Sequence, residues 1–242
     1  MTISSVNNEK VKYWASLKLK KNRDKDKCFL VEGNHLIKEA KEKGLVISTI
    51  SISDNNADFL VTKEIMKKIS DQKSISDNAA IVRYIPEQEI KGNVLILDDI
   101  QDPGNLGTLI RSSIAFGFSN IIMSEGSVDL YNPKVIRATE GMIFNINAIR
   151  TNIIEYIPKL KEMGYKILVS DVVDGNDIKN ESCNNIALVL GNEGKGVHSD
   201  IKNLCDEVIN IKMDNACESL NVGVAGSILM YEVYNGRINN SR

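Results

Sequence analysis

The sequence predicts a two-part α/β protein, with a small α/β module before about residue 88 and a mostly parallel sheet flanked by helices from residue 93 onward. Three observations carry this. Short apolar runs such as VLILD, NIIMSE, KILVSDV and NIALVLG have the continuous hydrophobicity of strands buried on both faces. They alternate with amphipathic stretches of helical length, the pattern of parallel strands joined by crossover helices. A polar segment with Pro and Gly, PEQEIKGN at 86 to 93, separates the two parts.

In the first part, a basic helix is expected near residues 8 to 21, followed by the strand FLVEG and the helix HLIKEAKEKG. STISIS, FLVTKEIMKKIS and AAIVRYI continue the mixed pattern. In the second part, VLILD leads into the helix GNLGTLIRSSIAFGF, then NIIMSE as strand, NPKVIRATEG as helix and NINAIR as strand. NIIEYIPKLKEMG reads as helix, KILVSDV and NIALVLG as strands, HSDIKNLC as helix, EVINIK as strand and SLNVGVAGSILMYEVYN as the last helix. Gly223, Ala225, Gly226 and Ser227 give that last helix a small-residue face, suited either to tight packing within the domain or to a dimer interface.

Composition narrows the class. The chain has 242 residues, 43% of them hydrophobic, enough for one sizeable core or two modest ones. No apolar run approaches the roughly 20 residues of a bilayer-spanning helix, and the N-terminal MTISSVNNEK lacks a signal-peptide core, so a cytoplasmic protein is expected. Cys28, Cys183, Cys205 and Cys217 show no paired spacing and read as reduced thiols. Net charge is −2, yet Lys10, Lys12, Lys18, Lys20, Lys21, Arg23, Lys25 and Lys27 face only Asp24 and Asp26 in their segment. Such an excess either neutralises phosphates or forms a solvated helix face.

Familiar nucleotide and metal motifs are missing. GNEGKG lacks the spacing and hydroxyl residue of a P-loop, and no G-x-G-x-x-G follows a first strand. His35 and His198 pair with no cysteine cluster, and no G-x-S-x-G elbow occurs, so neither a metal centre nor a serine hydrolase is expected. What remains are three glycine-bearing segments: DPGNLGTLIRSS at 102 to 113, VLGNEGKGV at 189 to 197 and ESLNVGVAGS at 218 to 227. Asn105 is placed to cap the helix after Pro103 and Gly104, Arg111 follows two turns on, Glu193 lies between Gly191 and Gly194, and Ser219 and Asn221 open the last helix. Each residue alone is equally a cap, a loop carboxylate or a solvated side chain.

In combination, LDDIQDPGNLGTLIRSSIAFGF, YNPKVIRATEG, LVLGNEGKGV and IKMDNACESLNVGVAG closely resemble the signature segments of the SpoU/TrmH family of the SPOUT superfamily, RNA ribose 2′-O-methyltransferases. SSVNN, the basic helix and FLVEGNHLIKEA resemble the ribosomal-protein-like substrate-binding domain that many members carry. The resemblance implies domains at 1–88 and 93–242, the second an α/β trefoil-knot (SPOUT) domain. It implies S-adenosylmethionine as methyl donor, contacted by Gly191, Ile211 and Leu220 with Met213 nearby. It places catalytic positions at Asn105, Arg111, Glu193, Ser219 and Asn221, with Glu193 positioning Arg111 or complementing positive charge. It further implies a homodimer without metal, acting on structured RNA, with ribosomal RNA ahead of transfer RNA and a non-catalytic assembly factor as the rival of another class. Lys10, Lys12, Lys18, Lys20, Lys21 and Arg23, with Arg111, are the expected RNA contacts. A guanidinium is a permanent cation, so Arg111 suits binding of the target phosphate better than proton abstraction. The sequence departs from the family pattern at Lys212, at Asn215 and in SISDNAA, none of which removes a proposed catalytic group.

Overall fold

The structure, a computed structural model, describes residues 1–172, 175–176 and 185–240, the last four without their side chains. Cys183 therefore lies outside the described residues. The chain divides into two compact units, Met1–Pro86 with Asp129–Phe144, and Glu87–Val128 with Asn145–Arg242.

The first unit contains β1 (Thr2–Ile3), α1 (Glu9–Ser16), α2 (Lys20–Asp26), β2 (Cys28–Glu32), α3 (Asn34–Glu42), β3 (Val46–Ser51), β4 (Phe59–Val61), α4 (Lys63–Ile69) and β5 (Asn78–Arg83). Its mixed sheet runs β1-β4-β3-β5-β2, with β5 antiparallel to both neighbours. The single basic helix expected near 8 to 21 is two helices. Asn8 caps α1 by accepting from the Lys10 N–H, and the chain breaks at Leu17, which turns inward and is 2% exposed in the core around Trp14, Ile65 and Met66. Trp14 packs edge-on to Phe59 at 5.1 Å between ring centroids.

The second unit holds β6 (Val94–Leu97), α5 (Pro103–Ala115) and β7 (Asn120–Met123); the chain then lends α6 (Pro133–Ala138) and the 3₁₀ turn Met142–Asn145 largely to the first unit. It resumes with β8 (Asn147–Arg150), α7 (Ile153–Glu162), β9 (Lys166–Ser170), β10 (Ile186–Leu190), α8 (Ser199–Lys202), β11 (Glu207–Ile209) and α9 (Val222–Asn240). Its sheet is parallel throughout, in the order β11-β9-β10-β6-β7-β8. β6, β7 and β10 are buried along their whole length, as their unbroken apolar runs require.

The loan of residues 129–144 differs from a simple boundary near residue 90, and the side chains explain it. Tyr131 stacks on Tyr84 with centroids 3.7 Å apart and lies 4.8 Å from Phe29, while Phe144 stacks on Phe29 at 6.4 Å. The Tyr131 hydroxyl accepts from the Ile85 N–H at 2.9 Å. Arg23, 3% exposed, pairs with Asp129 at 2.5 Å and donates to the Leu17 and Lys18 carbonyls. Arg23 is thus a structural residue of the first unit, correcting its expected place among the RNA contacts: its guanidinium is turned inward and fully engaged on one side. Lys10, Lys12, Lys18, Lys20 and Lys21 remain exposed. Of these, Lys12 pairs with Glu9, Lys20 with Asp24, Lys10 lies over the Phe59 ring, and Lys18 donates to the Lys68 carbonyl.

The small-residue face of α9 is spent inside the second unit. A Cβ on Gly226 would lie 2.5 Å from both Leu109 and Leu190, one on Gly223 would meet Thr108 at 3.3 Å, and Ser227 shares a 2.6 Å hydrogen bond with Ser112. These glycines let α9 lie closely on α5. Among the described residues, the large apolar side chains that α9 leaves exposed are different ones, Val224, Tyr231 and Tyr234, with Phe116 of the α5 C-terminus edge-on to Tyr231 at 5.5 Å.

Candidate active site

The three glycine-bearing segments meet at the carboxyl ends of the buried strands, where parallel α/β sheets bind ligands. The first opens α5. Asp102, not Asn105, is the cap: its carboxylate accepts from the Asn105 N–H at 2.9 Å, with Pro103 in the first turn where its missing N–H costs nothing. The expected capping role of Asn105 is therefore taken three residues earlier. Its side chain is free to reach sideways, donating from Nδ2 to Glu193 Oε1 at 2.9 Å and accepting at Oδ1 from Asn221 Nδ2 at 2.8 Å. Asn221 in turn caps α9, its Oδ1 accepting from the Gly223 and Val224 N–H groups. One line of hydrogen bonds, Asn221 to Asn105 to Glu193, joins all three segments.

The second segment leaves β10 and folds back on itself. Asn192 and Gly196 exchange backbone hydrogen bonds at 3.0 and 2.9 Å. A Cβ on Gly191 would stand 2.2 Å from the Gly196 carbonyl carbon and the Val197 nitrogen, so only glycine lets the loop close. Asn192 organises the loop: its Oδ1 accepts from the Gly194 and Lys195 N–H groups, and its Nδ2 donates to the Asp99 carbonyl at 2.8 Å. Glu193 accepts from the Asp102 and Gln101 N–H groups as well as from Asn105. Burial pushes its carboxyl up, but the hydrogen bonds from Asn105 and from the backbone of Glu193, Asp102 and Gln101 outweigh that and hold it below the ordinary glutamate value.

Between this loop and the third segment lies a cavity of about 490 Å³. Gly191, Ile211, Met213 and Leu220, the expected donor contacts, all line it, together with Glu193, Ser219 and Asn221. Its size and mixed apolar and polar lining suit a nucleoside-sized ligand. Its lining combines the glycine-rich backbone of residues 191–196 with the apolar side chains of Ile211, Met213 and Leu220. Ser219 is exposed and precedes α9, which starts at Val222 rather than at Ser219.

Arg111 is not brought to this cluster. It is exposed on α5, roughly 9 Å along the helix axis from Asn105, and among the described residues it makes neither a hydrogen bond nor an ion pair. The expected contact with Glu193 is replaced by that of Asn105 and two backbone amides. Sequence reasoning missed Asn192, Gln101 and Asp102; an Asn after a strand-ending glycine and an Asp three residues before Asn105 were the available signals. Asp98, Asp99 and His198 offer three possible metal-ligand atoms within 4.8 Å of one another, but Asp98 Oδ2 is already taken by the backbone N–H and ring Nδ1 of His198.

Among the described residues no helix is long and apolar enough to cross a membrane. Comparison with known proteins fits the geometry. Residues 92–231 match the SpoU rRNA Methylase family and residues 8–78 the MRM3-like substrate binding domain. The chain is 32% identical to the 23S rRNA (guanosine(2553)-2′-O)-methyltransferase RlmP of Bacillus subtilis (strain 168), over 96% of this chain and 98% of that protein. It shares the fold of an AdoMet-bound rRNA methyltransferase from Sinorhizobium meliloti (TM-score 0.87, 23% identity, 97% of each chain). It shares it also with the SpoU methyltransferase AviRb from Streptomyces viridochromogenes in complex with AdoMet (TM-score 0.84, 21% identity, 96% and 99%). With more than half its length matched by the family model and 32% identity to a named relative over nearly the whole of both chains, the chain belongs to the SpoU rRNA methylase family.

Proposed function

We propose that this protein transfers a methyl group from S-adenosylmethionine to a ribose 2′-hydroxyl of large-subunit ribosomal RNA, in the cytoplasm. The observation that carries the reading is the Asn221–Asn105–Glu193 line beside the cavity lined by Gly191, Ile211, Met213 and Leu220. The bound donor supplies a methyl on a sulfonium, activated for in-line displacement, so no metal is needed.

The chain's own residues have three tasks. Gly191, Ile211, Met213 and Leu220 hold the donor, largely through backbone groups and apolar contact. Asn105, fixed from both sides by Asn221 and Glu193, orients the incoming hydroxyl; alignment of this kind lowers the barrier without covalent chemistry. Glu193, kept as a carboxylate by its amide donors, complements the positive charge that gathers in the site, and Ser219 adds a hydroxyl at the rim. Arg111, an exposed permanent cation outside the donor cavity, binds the phosphate next to the target ribose and so helps to align it. In the first unit, Lys10, Lys12, Lys18, Lys20 and Lys21 supply sequence-independent affinity for phosphates. Two copies pair through Val224, Tyr231, Tyr234 and Phe116, an exposed aromatic surface of the kind that homodimers bury.

The test is methyl transfer from labelled S-adenosylmethionine to 23S rRNA that has never been modified, with transfer RNA alongside. The expected product is a 2′-O-methyl nucleoside from 23S rRNA alone. Label confined to transfer RNA overturns the substrate, and donor binding without label in either RNA overturns the enzyme reading in favour of a binding protein. Sedimentation of the protein alone tests the dimer.

A further inference from the structure

The Gly191–Val197 loop is fastened on both sides to one two-residue turn. On the near side Asn192 donates to the Asp99 carbonyl at 2.8 Å. Immediately after the loop, Asp98 Oδ2 accepts both the His198 backbone N–H at 2.9 Å and the ring Nδ1 at 2.8 Å. Asp98 is 2% exposed, whereas the His198 side chain is 54% exposed, so a fixed carboxylate is closed over by a ring from the solvent side.

The turn is itself built for this. Asp99 has φ of 55°, a left-handed conformation that residues with a Cβ seldom adopt. It is held there by Ser124, whose Oγ accepts from the Asp99 N–H at 2.9 Å and donates to Asp99 Oδ1 at 2.7 Å. A Cβ at Gly126 would fall 2.3 Å from Asp99 Oδ1, so a side chain there would displace the carboxylate that Ser124 holds. Asp98 and His198 line a cavity of about 520 Å³ that shares no lining residue with the donor cavity. The side chains of the pair therefore reach the donor site through the segments they hold and not by direct contact.

We infer that Asp98 and His198 are a positioning pair for the donor loop: they fix its end at Val197, hold the Asn192–Gly196 bridge closed, and so place Glu193 and the Gly191 wall. This rests on the donor site proposed above. The charged groups that face His198 are Asp98 and Asp99 from the turn after β6, Lys195 from the loop, Asp200 from α8, and Glu125 and Glu155 across the cavity. The Asp98 hydrogen bond and charge raise the His198 pKa, with Asp99 adding to them against burial and Lys195. A cationic ring makes the stronger, charge-assisted bond, so the loop is tightest below the raised pKa and slackens as pH rises through it.

The whole protein tests this with His198→Leu, which removes the ring donor, and His198→Asn, whose amide Nδ2 takes the place of Nδ1 without titrating. Hydrogen exchange at the Asn192 and Gly196 amides reads the loop with no ligand present, and calorimetry with S-adenosylhomocysteine reads the cavity. His198→Leu is expected to speed exchange at both amides about tenfold and to weaken the ligand by a similar factor, while His198→Asn stays within about twofold of the parent. Between about pH 6 and about pH 9 the parent should lose affinity and His198→Asn should not. Unchanged exchange in His198→Leu, or the same pH profile in parent and His198→Asn, overturns the pair. If the parent binds no S-adenosylhomocysteine the donor-site reading falls instead, and the exchange rates still decide whether His198 holds the loop.

Discussion

The side chain of Asn105 donates to Glu193 Oε1 at 2.9 Å while its own oxygen accepts from Asn221, so one amide on α5 holds together loops that are 88 and 116 residues away in the chain. Asn105→Ala breaks both bonds without touching the Asp102 cap. Turnover is expected to fall by about tenfold or more, with donor affinity much less affected, in a comparison of kcat and donor Kd.

The same bond bears on acid stability. Glu193 is held below the ordinary glutamate value in the folded state, so its contribution is complete above the unfolded value and is lost as pH falls through the lowered folded one. Asn105→Ala raises the folded value toward the ordinary one and shrinks that contribution. Urea midpoints of parent and variant should therefore differ most near neutral pH and converge in acid.

Arg111 stands apart from the donor cavity, which separates binding from chemistry. Arg111→Ala should bind S-adenosylhomocysteine within about twofold of the parent, yet lose about a hundredfold in methyl transfer, the scale of a misaligned reactant. Arg111→Lys should recover only part of it, because an ammonium lacks the two-pronged geometry for phosphate. Equal loss of donor affinity in Arg111→Ala would contradict this assignment.

Arg23 and Lys21 are near neighbours with opposite expected phenotypes. Arg23→Met leaves Asp129 without its buried partner and should cost about 3–5 kcal/mol in denaturant unfolding. Lys21→Ala should leave stability unchanged and lower the slope of log affinity for RNA against log salt by roughly 0.7–0.9.

Gly191 and Gly226 test close approach. Gly226→Ala pushes against Leu109 and Leu190 side chains that can shift a little, an overpacking cost of about 1–3 kcal/mol. Gly191→Ala meets backbone atoms that cannot yield, so the loop opens and donor binding is expected to disappear even where the fold survives. Calorimetry and thermal unfolding on the two variants separate these outcomes.

The parallel sheet was legible in the sequence because β6, β7 and β10 are apolar without interruption, and the site segments were legible because their glycines and amides recur in a family order. The partners of those amides were not. Asn105 and Asp102 are both good capping residues, and only the packed loops show that Asp102 caps, leaving Asn105 for Glu193. Arg23 sits in a run of lysines and carries the same charge, and its burial depends on Asp129, 106 residues away. The glycines of α9 promised close packing but could not name the neighbour, which proved to be α5.

That residues 129–144 complete the first unit also sets an order of events during synthesis. The nascent chain delivers Phe29, Tyr84 and Arg23 early, but Tyr131, Phe144 and Asp129 arrive only after α5 and β7 have been made. The amino-terminal unit cannot finish before the next one has begun, so the usual domain-by-domain schedule of translation is replaced by two overlapping ones, and a fragment ending near residue 86 would emerge with its aromatic core unfilled.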